Sequence, residues 1–368
     1  MRIPRIPALA AAGVLALAAP AAPAADAARL NATARFLAGL PTPSFPGMEG
    51  FVHDPGWAAH AVAMDRAWAA LEKERLAPMR AWSARELGDL RGSATVFYPF
   101  GGPDHLHVQV LHPWAQRFVL VGLEPVGSLP ELGRLAIRRD LAHLRTTLRT
   151  ALLSSFFITK DMERDLKHPE LRGVLPLLLA FLPRLEGEIR DLALLELDPE
   201  GRPRPAQGKP TALRIRFRAA GGGPERELWY LRADLSNGAL HRDRRILAFA
   251  ASLGRPHTFL KSASYLLHRP SFTTFRAFLL QTSSSILQDD SGIPQRSFDE
   301  ARWPVRFYGR YDEPIPLFRE FTQKDLADRF QGRKVRALDF GMGYKHRGRS
   351  SNLELALAPA PGGGARGE

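Results

Sequence analysis

The segment Arg117–Leu123 (RFVLVGL) restricts the possible folds of this chain more than any other feature. Its apolar side chains point to both faces of a strand, so the strand has to lie in a sheet that is covered on both sides. Upstream, Ala94–Phe100 (ATVFYPF) also has strand character and leads into a glycine-rich turn, where Asp104 is placed to cap a short helix through about Leu111. The order strand, helix, strand predicts a βαβ unit near 94–123 whose two strands are parallel neighbours.

The hydrophobic period changes from 3.6 to 2 in the middle of the chain. Three segments separated by turns have strand character: 191–197, 211–218 and 226–235. In the second segment, Leu213 and Phe217 alternate with arginines, which indicates one buried face and one solvated face. These segments predict an antiparallel meander near 190–235.

Helical spacing of apolar residues occurs on both sides of this meander. The predicted helices cover 57–71, 131–158, 173–186, 244–253, 259–268 and 272–280. Residues 26–55 are rich in Pro and Gly, and we interpret them as an extended arm. The predicted fold class is therefore α+β, with a mixed sheet and helices.

The domain organisation follows from where the pattern changes. We expect one compact body of two loosely separable lobes, preceded by a cleaved segment and followed by a Gly/Pro/Ala-rich tail. The predicted parts are a signal peptide at 1–25, an N-terminal lobe at 26–187, a C-terminal lobe at 188–358 and a disordered tail at 359–368.

The first 25 residues have the order of features found in secretory signal peptides. Arg2 and Arg5 precede an uncharged apolar core at 8–19, and small residues at 22–25 offer a cleavage site. The core is too short to span a bilayer, which takes roughly 20 residues, and no later segment is long and apolar enough. We therefore predict a periplasmic or secreted protein of a Gram-negative-type bacterium, with no transmembrane helix after cleavage.

Composition limits the chemistry and the partners. The chain has no cysteine, which excludes disulfides, cysteine-ligated metals and thiol nucleophiles. Its formal net charge is +13. Only eight of its 51 basic residues are lysine, and a GC-rich genome produces such a bias toward arginine without any function. A basic surface attracts anions, and outside the cytoplasm these are phosphate-bearing glycans and lipid headgroups. Export argues against nucleic acid as a partner.

The turn before the predicted short helix carries the first candidate site. Asp104 and His107 are candidate catalytic residues, and His105 is a candidate ligand-binding residue, because sites of α/β folds gather where strands end. On a strand, His105 and His107 would share a face and could hold a metal. On a helix they diverge by about 200°, and we predict neither a metal nor a cofactor. The alternative is that Asp104 is only a helix cap and the histidines are buried polar contacts.

Two further carboxylates are candidate catalytic residues. Glu124 follows the fully apolar strand, and burial there would raise its pKa toward use as a general acid. Alternatively, Glu124 is a turn residue paired with an arginine.

Asp289 precedes a turn in the segment 282–294 and is also a candidate catalytic residue. Because the side chains of neighbours on an extended chain point opposite ways, only one of Asp289 and Asp290 is expected in a site. The serines at 283–285 lack the Gly-x-Ser-x-Gly pattern of a hydrolase nucleophile.

Aromatic and cationic residues alternate in two C-terminal segments, 306–312 and 338–349. Such residues can stack on a sugar ring and hold an anionic group. Arg310, Tyr311, Tyr344 and Lys345 are therefore candidate ligand-binding residues.

Four segments are similar to those of a group of exported bacterial proteins to which no activity is assigned. They are 97–110 (FYPFGGPDHLHVQV), 118–127 (FVLVGLEPVG), 283–294 (SSSILQDDSGIP) and 338–358. The likeness covers most of the mature chain in scattered blocks, and it implies no substrate or mechanism.

Three functions remain open from the sequence. The first is binding of an anionic envelope or extracellular ligand, such as a carbohydrate or a lipid headgroup, in a cleft between the lobes. The second is a periplasmic hydrolase with carboxylate and histidine acid–base chemistry, which requires that the candidate residues converge on one point. The third is a structural or assembly subunit, which would carry a large exposed apolar patch.

Overall fold

The computed structural model describes residues 24–42, 48–154, 164–299, 301–332, 334–346 and 350–358. The predicted signal peptide, except for Ala24 and Ala25, and the predicted tail lie outside the described residues and stay predictions. The helices are α1 (Ala24–Leu37), α2 (Glu49–Val52), α3 (Pro55–Leu71), α4 (Ala77–Glu86), α5 (His105–Leu111), α6 (Ile137–Ser154), α7 (Leu175–Arg184), α8 (Asn237–Arg242), α9 (Arg245–Ser252), α10 (Thr273–Thr282) and α11 (Lys324–Gly332). The strands are β1 (Thr95–Tyr98), β2 (Arg117–Gly122), β3 (Gly187–Leu197), β4 (Pro203–Pro205), β5 (Ala212–Ala219), β6 (Arg226–Arg232), β7 (His257–Leu260), β8 (Ser285–Gln288), β9 (Val305–Gly309) and β10 (Asn352–Leu357).

One mixed sheet organises the described residues. Its ten strands lie in the order β4-β3-β5-β6-β2-β1-β7-β8-β10-β9. The five central strands, β6 through β8 in that order, are parallel, and antiparallel strands extend both sides. The predicted α+β class is confirmed.

The predicted βαβ unit is also confirmed. β1 and β2 are parallel neighbours joined through α5, with Thr95 opposite Arg117 and Tyr98 opposite Leu120. Asp104 caps α5 by accepting a hydrogen bond from the backbone N–H of His107. The central strands are buried on both faces, as their apolar sequences require.

The meander predicted near 190–235 is present as β3, β5 and β6, which pair in antiparallel fashion. Leu213, Ile215 and Phe217 face the core, and the alternate arginines face outward. Arg214 and Arg216 each form an ion pair of 3.1 Å with Asp191 on the neighbouring strand. These cross-strand pairs favour this register because a shift by one residue would bury the arginines.

Helices cover both faces of the sheet. One core holds Val96, Tyr98 and Phe118 from the sheet, together with residues of α1 and α3 to α7. The other core holds Phe97 and Val119, together with residues of α8 to α10. Among the described helices, none combines the length and apolar character needed to cross a membrane.

The predicted lobes share this sheet. β1 and β2, from the first predicted lobe, lie between β6 and β7, from the second. Hydrogen bonds therefore run without a break from one predicted lobe into the other.

The chain leaves β1 and β7 in opposite directions. From β1 it passes through α5 to β2 on one side, and from β7 it passes through α10 to β8 on the other. Connections that diverge in this way leave a crevice at the carboxyl ends of the two strands, which is where open α/β sheets bind ligands. The segments that follow β1 and β7 therefore form the natural site of this fold.

Two predicted elements are wrong. The extended arm predicted for 26–55 contains α1 and α2, and α1 is held to β3 because the Asn31 amide bonds both the N–H and the C=O of Ile189 at 2.8 Å. The helix predicted for 259–268 starts instead as the end of β7 and continues as the 3₁₀ helix Ser262–His268. Pairing of β7 with both β1 and β8 outweighs the local helical spacing.

The loop after β2 offers a test of the packing that positions Glu124. Gly127 has φ +86°, and a Cβ there would collide with the carbonyl of Arg172. Gly254 has φ +75° and open space around it. We expect Gly254→Ala to lower the free energy of unfolding by about 1–2 kcal/mol, from backbone strain alone. Gly127→Ala should cost roughly 1–3 kcal/mol more because overpacking adds to that strain.

Urea denaturation of both variants measures the two effects. Equal losses of stability would contradict the close approach of the loop to Arg172 and Gly173.

Candidate functional site

A cavity of about 370 Å³ opens at the carboxyl ends of the central parallel strands. It lies at the crevice expected between β1 and β7, and we call it the central pocket. Its wall includes Tyr98, Phe100, Gly101, Gly102, Asp104, Gly122, Leu123, Glu124, Asp234, Lys261, Ser262, Tyr265, Arg269, Phe272, Phe318, Phe321 and Tyr344.

A buried ion pair joins the two strand ends at the inner wall of the central pocket. Lys261, the residue after β7, places its Nζ 2.7 Å from Oδ2 of Asp104. The two side chains are 1% and 2% exposed. The Tyr98 hydroxyl donates to the same oxygen at 3.1 Å, and His107 donates to Oδ1 through its backbone N–H at 3.3 Å.

The second contact of His107 fixes its protonation state. Its Nδ1 lies 2.6 Å from Oδ1 of Asp104. Burial lowers the pKa of His107 to about 4, so the ring is neutral at pH 7 and Nδ1 carries the proton that it donates. Nε2 is buried and has no hydrogen-bond partner among the described residues, and His107 does not line the pocket.

These contacts determine what Asp104 can do. Burial alone would raise the pKa of its carboxyl, but the charges and hydrogen bonds of His107 and Lys261 outweigh it and hold the pKa well below its ordinary value. Four donors occupy the carboxylate, which offers about four lone-pair positions. Asp104 is therefore a permanent anion that positions Lys261, and it has no site left for exchanging protons with a ligand.

Glu124 lies across the pocket from this pair. Its carboxyl packs against Gly102, 3.5 Å from the position of a Cβ on that residue. The Tyr230 hydroxyl lies 2.8 Å from the backbone carbonyl oxygen of Glu124 and 3.2 Å from its carboxylate, and these two acceptors share its proton. Burial and the nearby carboxylate raise the pKa of Tyr230 well above its ordinary value, so Tyr230 stays a donor. Glu124 is half-buried and has the Tyr230 hydroxyl as a fixed partner. The structure thus brings Asp104 and Glu124 to one pocket.

Asp289 lies behind the pocket wall. Its Oδ2 accepts the backbone N–H of Ser262 at 3.3 Å, and its Oδ1 accepts the N–H of Ser291 at 3.0 Å and the Ser291 hydroxyl. Burial, together with the charge of Asp290, raises the pKa of Asp289 to about 6. Asp289 therefore changes its charge just below neutral pH.

Asp290 has different partners from Asp289 and belongs to a second buried cluster. Its carboxylate accepts hydrogen bonds from Tyr265 at 2.5 Å and from Asn352 at 2.9 Å, and the Lys345 ammonium lies 3.5 Å away. Lys345 also lies over the ring of Tyr311, 4.7 Å from its centre. Tyr311 and Lys345 thus belong to the interior behind the pocket.

The remaining candidate ligand-binding residues lie in different parts of the structure. Tyr344 lines the central pocket. His105 is fully buried on α5 against Phe118 and Phe217, and burial lowers its pKa to about 3. Arg310 is exposed and pairs with Asp312 at 2.9 Å. His105 and His107 lie on a helix, as the alternative interpretation of this turn required.

Aromatic rings form one wall of the central pocket. Tyr265 stacks on Phe318 with ring centres 4.3 Å apart, and Tyr344 lies 5.0 Å from Phe318. Phe321 extends this wall, and Arg269 lies over its ring while pairing with Glu320. The wall offers aromatic surface to a bound molecule.

Lys261 and Ser262 follow β7 and line the pocket, and neither is among the residues predicted from the sequence. Both fell inside the helix predicted for 259–268. A lysine directly after an apolar segment, in a chain with only eight lysines, was the available signal. Within the described residues, no group of three His, Asp or Glu side chains is arranged to hold a metal ion.

No protein-family model, curated protein or solved structure matches this chain. The geometry of the central pocket is therefore the basis for inferring a function.

The Asp104–Lys261 pair can be tested by its coupling energy. Lys261→Met leaves the buried Asp104 carboxylate without its cation, and we expect the free energy of unfolding to fall by about 3–5 kcal/mol. The double variant Asp104→Asn/Lys261→Met should recover part of this loss because no unpaired charge remains. Urea denaturation of the two single variants and the double variant measures the coupling.

Arg310→Ala is the matched control because it breaks an exposed ion pair, and it should cost at most about 1 kcal/mol. A loss for Lys261→Met as small as that of the control would contradict the buried pair.

Proposed function

We propose that this protein is a hydrolase whose substrate enters the central pocket. The observation that carries the proposal is the ion pair of Asp104 with Lys261 at the pocket wall, at the crevice between β1 and β7. Burying two charges costs several kcal/mol per ion, and well-packed apolar residues stabilise a fold equally well. A costly charge pair that lines a cleft is typical of a functional site.

The charges of the lining favour an uncharged substrate. Three carboxylates, those of Asp104, Glu124 and Asp234, line the pocket. The cations Lys261 and Arg269 are already in ion pairs, with Asp104 and Glu320. The lining therefore gives the anionic-ligand hypothesis less support than the hydrolase hypothesis.

The shape and the aromatic wall support a ring-bearing substrate. A volume of about 370 Å³ accommodates one sugar-sized or aryl-sized ring with a substituent. Tyr265, Phe318 and Tyr344 line the pocket with aromatic surface, which suits the apolar face of such a ring. A carbohydrate derivative fits these features and the export predicted from the N-terminal sequence.

Each of the charged residues at the pocket has a different role in the proposed reaction. The Lys261 ammonium, held in place by Asp104, is a hydrogen-bond donor suited to stabilise an oxygen that gains negative charge. Glu124 is half-buried and faces the pocket, so it can exchange protons with a bound molecule. Asp104 and His107 act only by positioning.

The experiment is a survey of turnover with the purified chain. The substrates are neutral p-nitrophenyl glycosides and p-nitrophenyl esters, and the variants are Lys261→Met, Glu124→Gln and the control Arg310→Ala. We expect the wild type to turn over at least one substrate class, with kcat/KM reduced on the order of 100-fold or more in Lys261→Met. Arg310→Ala should match the wild type.

Folded protein at the assay temperature is verified for each variant by its melting temperature. Binding of these compounds without turnover by the wild type would contradict the proposal and favour a binding protein. Equal kcat/KM for Lys261→Met and wild type would show that the ion pair takes no part in the reaction.

A further inference from the structure

Ser262 has an unusual backbone conformation at the end of β7. Its φ is +58°, one of three positive values found among the described residues other than glycine. Lys261 before it is extended, and the 3₁₀ helix Ser262–His268 begins at once. A left-handed conformation costs an L-residue roughly 1–2 kcal/mol. Hydrolases that use a serine nucleophile present it on a strained turn between a strand and a helix.

The side chain of Ser262 combines burial with a place on the pocket wall. Ser262 lines the central pocket, yet the residue is only 6% exposed. Its Oγ makes no hydrogen bond with the described residues. A buried hydroxyl without a partner costs free energy, so its retention requires a reason outside the fold.

Asp289 stands next to this hydroxyl. A Cβ on Gly343 would collide with Oδ2 of Asp289 and would stand 3.1 Å from Oγ of Ser262, so both oxygens border the same small space. Gly343, at φ +58°, leaves that space open. The backbone N–H of Ser262 already binds Oδ2 of Asp289 at 3.3 Å, which keeps the carboxylate at the serine.

We propose that Ser262 is the nucleophile and Asp289 the general base of an acyl-transfer reaction, and that the substrate is a carboxylic ester of a ring-bearing alcohol. This inference rests on the proposed hydrolase function and specifies its substrate class. The surrounding residues differ from the usual pattern, because Leu260 and Ser264 stand where a nucleophile elbow has glycines.

The reaction has two balanced steps. In the first, Asp289 takes the Oγ proton while Oγ bonds to the carbonyl carbon, and the carbonyl oxygen becomes an anion beside the Lys261 ammonium. The C–O bond to the alcohol then breaks, and the alcohol oxygen takes the proton from Asp289. In the second step, water gives a proton to Asp289 and bonds to the acyl carbon, and Oγ leaves as it regains the proton. An ester and water thus yield an acid and an alcohol.

The ionisation of Asp289 suits a base. Its pKa of about 6 leaves most of the carboxylate ionised at pH 7 and able to accept a proton. The titratable groups that interact electrostatically with Asp289 come from several elements. They are Asp290 beside it, Lys261 after β7, Tyr98 of β1, Tyr265 of the 3₁₀ helix, Glu354 of β10 and Tyr344. The rate of acylation should therefore rise with pH through about 6 and then level off.

The test is covalent labelling of the full chain. A fluorophosphonate probe and p-nitrophenyl acetate are the reagents, and mass spectrometry of proteolytic peptides locates the modification. We expect the label on Ser262 and none in Ser262→Ala. Ser264→Ala is the matched control because it removes the other serine hydroxyl of the same turn, and it should label like the wild type. Asp289→Asn should slow acylation on the order of 100-fold.

A second variant separates a catalytic from a structural role. Ser262→Gly removes the hydroxyl and suits φ +58°, so we expect a higher melting temperature than wild type together with loss of the label. A structural serine would instead lower the melting temperature when removed.

The outcomes distinguish this inference from the proposed function. Turnover that needs Lys261 but survives in Ser262→Gly, with no label on Ser262, would overturn the serine mechanism and leave the hydrolase in place. Absence of turnover on every glycoside and ester would overturn both. Labelling of a different residue in wild type would also overturn the assignment of Ser262.

Discussion

The buried pair of Asp104 and Lys261 is the interaction on which the pocket depends. It ties the residue that caps α5 to the residue that follows β7, more than 150 positions along the chain. Because Asp104 also holds Tyr98 and His107, one carboxylate fixes the ends of two neighbouring strands and the start of a helix. Removal of Lys261 would leave the buried Asp104 carboxylate without its ion-pair partner, so the geometry of the pocket and the stability of the fold are coupled.

The sheet explains why these residues meet. Chain connections that leave β1 and β7 in opposite directions open a crevice between them, and the turns after both strands border it. Two of the described non-glycine residues with positive φ, Phe100 and Ser262, lie on those turns. The strain is therefore concentrated at the pocket, where stable packing of the sheet beneath can support it.

Much of the fold was predictable, and part of the site was not. The apolar run at 117–123 and the alternation at 211–218 report local burial, so they predicted the βαβ unit and the meander correctly. Asp104 and Glu124 were found because both follow recognisable strands. Lys261 and Ser262 were missed because the pairing of β7 with β1 and β8 is a long-range contact that local spacing does not encode. His105 was chosen for its place after a strand and Arg310 for its place in an aromatic and cationic segment, and neither criterion gives the direction of the side chain.

Carboxyl ¹³C NMR of the wild-type chain, with Asp104→Asn and Asp289→Asn used to assign the resonances, tests the central electrostatic claim most directly. We expect Asp104 to keep the chemical shift of an ionised carboxylate at every pH where the protein stays folded. Asp289, in the same spectra, should titrate with a midpoint near pH 6. An Asp104 resonance that titrates at or above about pH 4, the ordinary value for aspartate, would show that Lys261 and His107 do not hold it as an anion and would contradict the account.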